Sequence, residues 1–285
     1  MSFEDWKQVA NQLVDYGAAV GELPDIMLWG GEPLMAPYFD DLVIYLRQKG
    51  FSLGMVTNGV LLDNHAKLIR EEFKRVYVSV DGDRECHDAV RGVGVFDRVA
   101  ANLKLIHGGK AYVSLMCVIS ESNIQKLDHI PSILSELSCD EIILQEIIGL
   151  TQSEISQYKQ WMKTVFGIQA TDIEGWENTL LEADVKNAML QRITQHIYQK
   201  PLKYIPHGLC EQTCKSPYSH IHIAWNGNVL YCTDFYDFSA GNVHHSKLVD
   251  IFENELSQRY CQEIENEQCV TCKHCSWRRS TGFKL

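Results

Sequence analysis

The chain has 285 residues, room for one large domain or a domain with an appended module, and its 45% apolar content is that of an ordinary globule. Its formal net charge of −11 argues against a general nucleic-acid binder, which needs clustered Lys and Arg against phosphate. No apolar run reaches about 18 residues, so no membrane span is expected. The acidic, amphipathic start is unlike a secretory leader, which leaves the cytoplasm as the expected compartment.

Ser2 and Asp5 form a capping-box pattern, and Phe3, Trp6, Val9, Ala10, Leu13 and Val14 keep helical spacing, so a helix is expected at once. Ile26–Trp29 is apolar throughout, as in a strand buried on both faces of a parallel sheet. A helix over about 38–49 should stop at Gly50. The alternation then repeats: strand 53–56, helix 63–73, strand 76–80, helix 96–107, strand 112–119, helix 124–137 with Pro131 near its start or at a kink, and strand 142–148. Five strands separated by helices predict a parallel α/β sheet. Residues 151–200 read as helical, with a boundary near 201–206. Trp225-Asn226-Gly227-Asn228, set between two short apolar runs, signals a hairpin, and 241–255 reads as a loop leading into a short helix.

The chemistry gathers after the apolar runs. Polar and glycine residues at the ends of successive parallel strands build the working face of such a sheet. Gly30 and Gly31 let the backbone approach a ligand closely. Glu32 offers a carboxylate suited to an amine, and Asn58 an amide that both donates and accepts. Ser79 and Asp81 could hold ribose hydroxyls, and Arg91 could pair with a carboxylate. Together they describe a pocket for a ligand with an amine, a sugar and a carboxylate. Turn and cap duty is the alternative account of any one of them.

Of ten cysteines, seven fall between Cys210 and Cys275. Such crowding in a reducing compartment suggests metal binding rather than disulfides. Cys214 and Cys232 flank the hairpin, Cys269-x2-Cys272-x2-Cys275 follows, and Cys210 stands just upstream. Thiolates so spaced bind an iron–sulfur cluster or zinc. Cys117 is expected to be a buried strand thiol and Cys261 a helix residue. Tyr158, Trp161, Phe166 and Trp176 are expected to pack a helical connector.

The series Gly30-Gly31-Glu32-Pro33, Thr57-Asn58-Gly59, Ser79-Val80-Asp81-Gly82 and His87-Asp88 leading to Arg91-Gly92 resembles the radical SAM superfamily over about residues 2–149. The resemblance implies that Gly31 and Glu32, beside Gly30, meet the amino group of S-adenosylmethionine. It likewise implies that Ser79 and Asp81 hold the ribose and Arg91 the carboxylate, with Asn58 in the same pocket. The Cys214–Cys232 hairpin, Asn242-Val243-His244 and Cys272-x2-Cys275-Ser276-Trp277-Arg278 resemble a SPASM or twitch domain. That implies one auxiliary [4Fe–4S] cluster held by Cys210, Cys214, Cys232 and members of the group Cys269, Cys272 and Cys275. Thr281-Gly282, where the family would often place cysteine and glycine, speaks against a second cluster. A structural four-thiolate zinc site is the alternative.

The resulting expectation is an α/β fold. Residues 1–150 would form an incomplete (β/α)6 partial TIM-like barrel lacking its first strand, 151–205 a helical connector, and 206–285 a small cysteine-rich β-hairpin domain. The implied activity is reductive cleavage of S-adenosylmethionine to methionine and a 5′-deoxyadenosyl radical. That radical would take hydrogen from a peptide or protein, with electrons from a donor such as flavodoxin or ferredoxin. The family's C-x3-C-x2-C loop for the radical-generating [4Fe–4S] cluster would precede the first helix, and no cysteine stands before Cys86. This chain is therefore not expected to ligate that cluster and is expected to be inactive alone. Three readings follow: a piece of a complete enzyme, a degenerate non-catalytic homologue acting as a binding module, or a loop supplied by another segment or chain.

Overall fold

The computed structural model describes residues 1–126, 129–178, 182–194, 200–206, 214–232, 234–269 and 271–274. In chain order these form α1 (Phe3–Val20), β1 (Ile26–Leu28), α2 (Phe39–Gln48), β2 (Leu53–Thr57), α3 (Leu62–Glu72), β3 (Arg75–Ser79), α4 (Arg84–Arg91), α5 (Val95–Ile106) and β4 (Tyr112–Ile119). Then come α6 (Ile130–Ser135), β5 (Glu141–Glu146), α7 (Gln152–Phe166), α8 (Ala183–Thr194), β6 (Leu202–Ile205), α9 (Ser216–Ser219), β7 (His222–Ile223), β8 (Asn228–Leu230), β9 (Gly241–Asn242), α10 (Leu248–Glu253) and α11 (Glu255–Glu265). The described residues within 23–147 and 181–205 make one compact unit, and those within 1–22, 148–180 and 206–284 make a second.

The first unit is an α/β layer around a six-stranded sheet of order β1-β2-β3-β4-β5-β6, parallel throughout. Its central strands are buried on both faces: Leu53, Met55, Val76, Val78, Val113, Leu115, Ile142 and Leu144 make one face apolar, and Gly54, Tyr77, Ser114 and Ile143 are buried on the other. The register runs evenly, Thr57 opposite Val78 and Ser79 opposite Met116, so adjacent strands end nearly level. That levelling is what gathers the loops after β1, β2 and β3 at one edge.

Three details depart from the sequence expectation. A sixth strand, β6, pairs with β5 from Ile142 opposite Leu202 to Gln145 opposite Ile205. Its Leu-Lys-Tyr-Ile run carries a charge and lies at the sheet's margin, so it lacks the unbroken apolar signature. The expected helix over 124–137 is a 3₁₀ turn at Ile124–Lys126 and the separate α6, whose first turn holds Pro131, where no backbone donor is missed. Residues 84–91 add α4, capped by the Asp83 carboxylate accepting from the Cys86 amide at 2.8 Å.

In the second unit α1 and α7 both begin with complete capping boxes, Ser2 with Asp5 and Thr151 with Glu154. The hairpin expected at Asn226-Gly227 joins β7 to β8, and β9 completes a three-stranded antiparallel sheet. Tyr158, Met162, Phe235, Phe238, Tyr260 and Ile264 form the heart of its core. Phe238 stacks on Tyr260 at 4.2 Å between ring centres, and Phe166 meets Phe238 edge-on at 5.0 Å. The expected connector aromatics thus pack into this core, Trp161, Phe166 and Trp176 against it and Tyr158 within it. No helix among the described residues is long and apolar enough to cross a membrane.

Candidate functional site

At the end of β1 the chain turns through Gly30 (φ 101°) and Gly31 (φ 57°), left-handed conformations that a side chain would strain. A Cβ at either position would meet open space, so the reason for glycine is the backbone path and the bare approach it leaves. Glu32 then caps a 3₁₀ turn, Pro33–Met35, and reaches across to β2. Its Oε1 accepts from Thr57 Oγ1 at 2.7 Å and from the Leu34 amide at 3.2 Å, while Oε2 accepts from the Asn58 amide at 2.8 Å. One carboxylate thereby ties the first two strand ends together.

The Thr57-Asn58-Gly59 turn is fixed from inside. Thr57 is buried, and its Oγ1 accepts from the Gly59 amide at 3.1 Å. Asn58 Oδ1 accepts from the Val60 amide at 2.9 Å, and Asn102 Nδ2 donates to the Gly59 and Val60 carbonyls. Gly59 has φ 79°, and a Cβ there would stand 2.9 Å from Val78 Cγ1.

After β3, which ends at half-buried Ser79, comes Asp81, 6% exposed. Its Oδ2 accepts from Arg91 Nε at 2.6 Å and its Oδ1 from the Val118 amide at 3.4 Å. The Asp81 amide donates to His87 Nδ1 at 3.1 Å, and its carbonyl accepts from Asn123 Nδ2 at 3.1 Å. The resemblance motif's Asp88 caps α5, accepting from the Gly94 and Phe96 amides at 2.8 Å each, which holds its carboxyl below the usual range. Gly30, Gly31, Glu32, Asn58, Ser79 and Asp81 therefore follow three adjacent parallel strands, and Arg91 reaches the group from α4. A recess of about 530 Å³ is lined by Asp83, Arg84, Glu85, Asp88, Ala89 and Val93, and none of these seven residues lines it. The seven make up the strand-end shelf.

Residues that sequence reading did not assign a role are Thr57, His87, Asn102 and Asn123. Each is a buried polar group, and its use rests on partners six to forty-three positions away. Cys117 is buried as expected, and burial pushes its thiol far up.

The second unit holds the other candidate. Cys269 is buried in the aromatic core, and Cys214, Cys232 and Cys272 pack against that same core. Cys272 donates to Cys269, which draws the Cys269 thiol down and pushes Cys272 up. Cys272 also lies within the field of Cys214 and Cys232. Tyr158 and Tyr260 are pushed up first by burial and further by the fields of Cys232, Cys269 and Cys272. Among the described residues no group of three or more His, Cys, Asp or Glu is arranged to hold a metal ion as it stands. The chemistry of the donors nonetheless suits a thiolate-bound group, since buried Cys269 and half-buried Cys214, Cys232 and Cys272, from three parts of the chain, pack on one apolar core. Cys210 and Cys275 lie outside the described residues. Cys261 sits in α11, where its thiol meets Tyr218 rather than this group.

A model of the radical SAM superfamily matches residues 1–130, and one of the iron–sulfur cluster-binding SPASM domain matches residues 214–276. The chain is 25% identical to the Fe-coproporphyrin III synthase of Methanosarcina barkeri over 97% of its own length and 73% of that protein's. It is 30% identical to the AdoMet-dependent heme synthase of the same organism, over 96% of this chain and 82% of that protein. Streptococcus suis SuiB bound to S-adenosylmethionine superposes with a TM-score of 0.66 at 14% identity, covering 97% of this chain and 65% of that one, a likeness of fold. SuiB has also been solved bound to its precursor peptide SuiA. The chain spans just under two thirds of SuiB's length.

Proposed function

This chain belongs to the radical SAM superfamily and carries a SPASM domain, and we propose from that premise that it is the S-adenosylmethionine-binding body of an enzyme that modifies a peptide or protein. The observation that carries this reading is the arrival of Gly30-Gly31-Glu32, Asn58, Ser79 and Asp81 at the ends of three neighbouring parallel strands. When bound, S-adenosylmethionine and reduced iron–sulfur clusters supply one-electron chemistry able to remove hydrogen from carbon. The chain's part is to bind and orient.

Glu32, already organised by three donors, receives the ligand's ammonium beside the bare backbone of Gly30 and Gly31. Asn58 and the Ser79 hydroxyl contribute neutral hydrogen bonds, and Asp81 and Arg91 take the ribose and carboxylate end. Arg91 gives only its Nε to Asp81 and keeps its terminal nitrogens for the ligand. Four of Cys210, Cys214, Cys232, Cys269, Cys272 and Cys275 would hold one auxiliary cluster. The 285 residues contain no C-x3-C-x2-C run, so none of their cysteines is assigned to the radical-generating cluster; in a complete enzyme an electron donor such as flavodoxin or ferredoxin would serve it, and a non-catalytic binding module is the alternative. The compartment consistent with free thiols is the cytoplasm.

SuiB's complex with a precursor peptide supports the peptide reading. A second class, iron tetrapyrroles, is favoured by the names of the two M. barkeri relatives. The test is titration of the purified chain with S-adenosylhomocysteine, then anaerobic reconstitution with iron and sulfide. Binding, with about four irons per chain, is expected for one [4Fe–4S] group. Zinc without iron would move the cysteines to a structural site, and absence of nucleoside binding at millimolar ligand would end the cofactor assignment. A shifted absorption band on adding iron coproporphyrin would favour the tetrapyrrole class.

A further inference from the structure

His87 lies on α4 four residues before Arg91, so both side chains leave the same helix face, and both end on Asp81. Arg91 holds the carboxylate, and His87 holds the backbone amide. Asn123 completes the grip from the other side through the Asp81 carbonyl. Because the Asp81 amide is a donor, His87 Nδ1 must be the acceptor, which places the ring proton on Nε2. That Nε2 is buried and has no hydrogen-bond partner, with the ring edge-on to Phe96 at 6.0 Å. A leucine of similar bulk would leave no such orphan, so packing alone does not ask for an imidazole here. What only the imidazole brings is an acceptor aimed at Asp81. Burial holds the ring below the usual histidine range despite the nearby Asp81 and Asp88 charges, so the neutral accepting form persists at neutral pH.

We propose that His87 is a positioning residue for the ligand carboxylate: by fixing the Asp81 backbone it sets the Asp81 carboxylate against Arg91 Nε and leaves the outer guanidinium nitrogens oriented for an adenosyl amino acid. The inference rests on the S-adenosylmethionine reading of the shelf. It differs from a general stabilising role in one respect: it falls more heavily on the part of the ligand that Arg91 meets than on the ribose that Asp81 meets. A stabilising histidine would matter equally for every ligand of the site.

The experiment compares two probes on the full chain by calorimetry. S-Adenosylhomocysteine carries the amino-acid carboxylate, and 5′-methylthioadenosine lacks it. His87→Leu is expected to weaken S-adenosylhomocysteine about tenfold, the loss of one aligned charged contact at about 1.4 kcal/mol, and methylthioadenosine, whose ribose also meets Asp81, by no more than about threefold. Should the leucine variant fold poorly, His87→Asn and His87→Gln carry the test. Asparagine returns an acceptor near the place of Nδ1 and should bind S-adenosylhomocysteine within about threefold of the original. Glutamine places its acceptor near Nε2 and should behave as leucine does. Equal weakening of both probes, or no weakening of S-adenosylhomocysteine in the Leu and Gln variants, overturns the positioning role. If the unaltered chain binds methylthioadenosine as tightly as S-adenosylhomocysteine, Arg91 has no carboxylate to meet and the inference fails while the nucleoside site stands. If it binds neither probe, the site reading fails and takes the inference with it.

Discussion

On the strand-end shelf Glu32 is met by three donors and Asp81 by four partners, all from the protein, whereas in the other unit Cys269 and Cys272 meet each other, and with Cys214 and Cys232 they pack on an aromatic core. The shelf is therefore organised before any ligand arrives, and its polar groups lose little on burial. The thiols are arranged differently. Several sulfurs near one another in apolar surroundings repel as thiolates, and a bound metal group removes that repulsion. A preorganised shelf suits a ligand that comes and goes. A thiol group that gains its stability from metal suits a resident one.

The largest expected effect tests the second half of that contrast. Cys272→Ser should drop reconstituted iron from about four per chain to below about one, read by iron analysis and visible absorption, while nucleoside binding at the shelf is unchanged. Full iron retention would remove Cys272 from the ligand set. Next is Gly59→Ala, where a new Cβ at 2.9 Å from Val78 and φ 79° together should cost about 2–3 kcal/mol in urea unfolding. A loss under about 0.5 kcal/mol would show the turn to be more compliant than its contacts imply.

Glu32→Gln keeps an acceptor for Thr57 but removes the charge. It should cost about 1 kcal/mol in stability and weaken S-adenosylhomocysteine about tenfold, whereas unchanged affinity would exclude Glu32 from the ammonium. The pH response follows from buried His87 and half-buried His222, both held below the ordinary value of 6.5, by burial first. Above pH 6.5 both native and unfolded forms are neutral and the stability is complete. As pH falls below 6.5 the unfolded chain takes up protons the native one refuses, so stability declines, and the decline ends below the native values. The midpoint in urea should fall between pH 7.5 and 5.5, less so in His87→Asn. A flat profile would mean these rings are solvated. Smallest is Glu72→Gln, which breaks the half-exposed pair with Arg47 on α2 and should shift stability by less than about 0.5 kcal/mol.

Much of this was legible in the sequence because its signals are local. The apolar runs of β2 to β5, the capping box at Ser2 and Asp5, and the Asn226-Gly227 turn each depend on neighbours within a few residues. The motif residues at the strand ends were legible for the same reason, since each follows its own strand. The strand β6 was not, because an edge strand with a lysine has no apolar signature until β5 is beside it. Nor were the roles of His87 and Asn123 visible: the resemblance includes His87 among its matching residues but gives it no role, and a lone asparagine carries no spacing rule.

By itself, the order of short apolar runs and the glycines and acids that follow them determined the parallel α/β class, the hairpin and the set of polar residues brought to the strand ends. Only the tertiary structure decided who holds whom: that Glu32 bridges to Thr57 and Asn58, that Arg91 and His87 both grip Asp81, and that Cys214, Cys232, Cys269 and Cys272 share one core. The physical reason is range. Strand and turn propensities act over a few residues of chain, while hydrogen bonds and thiol fields act over a few ångströms of space, and folding alone brings the second kind of neighbour together.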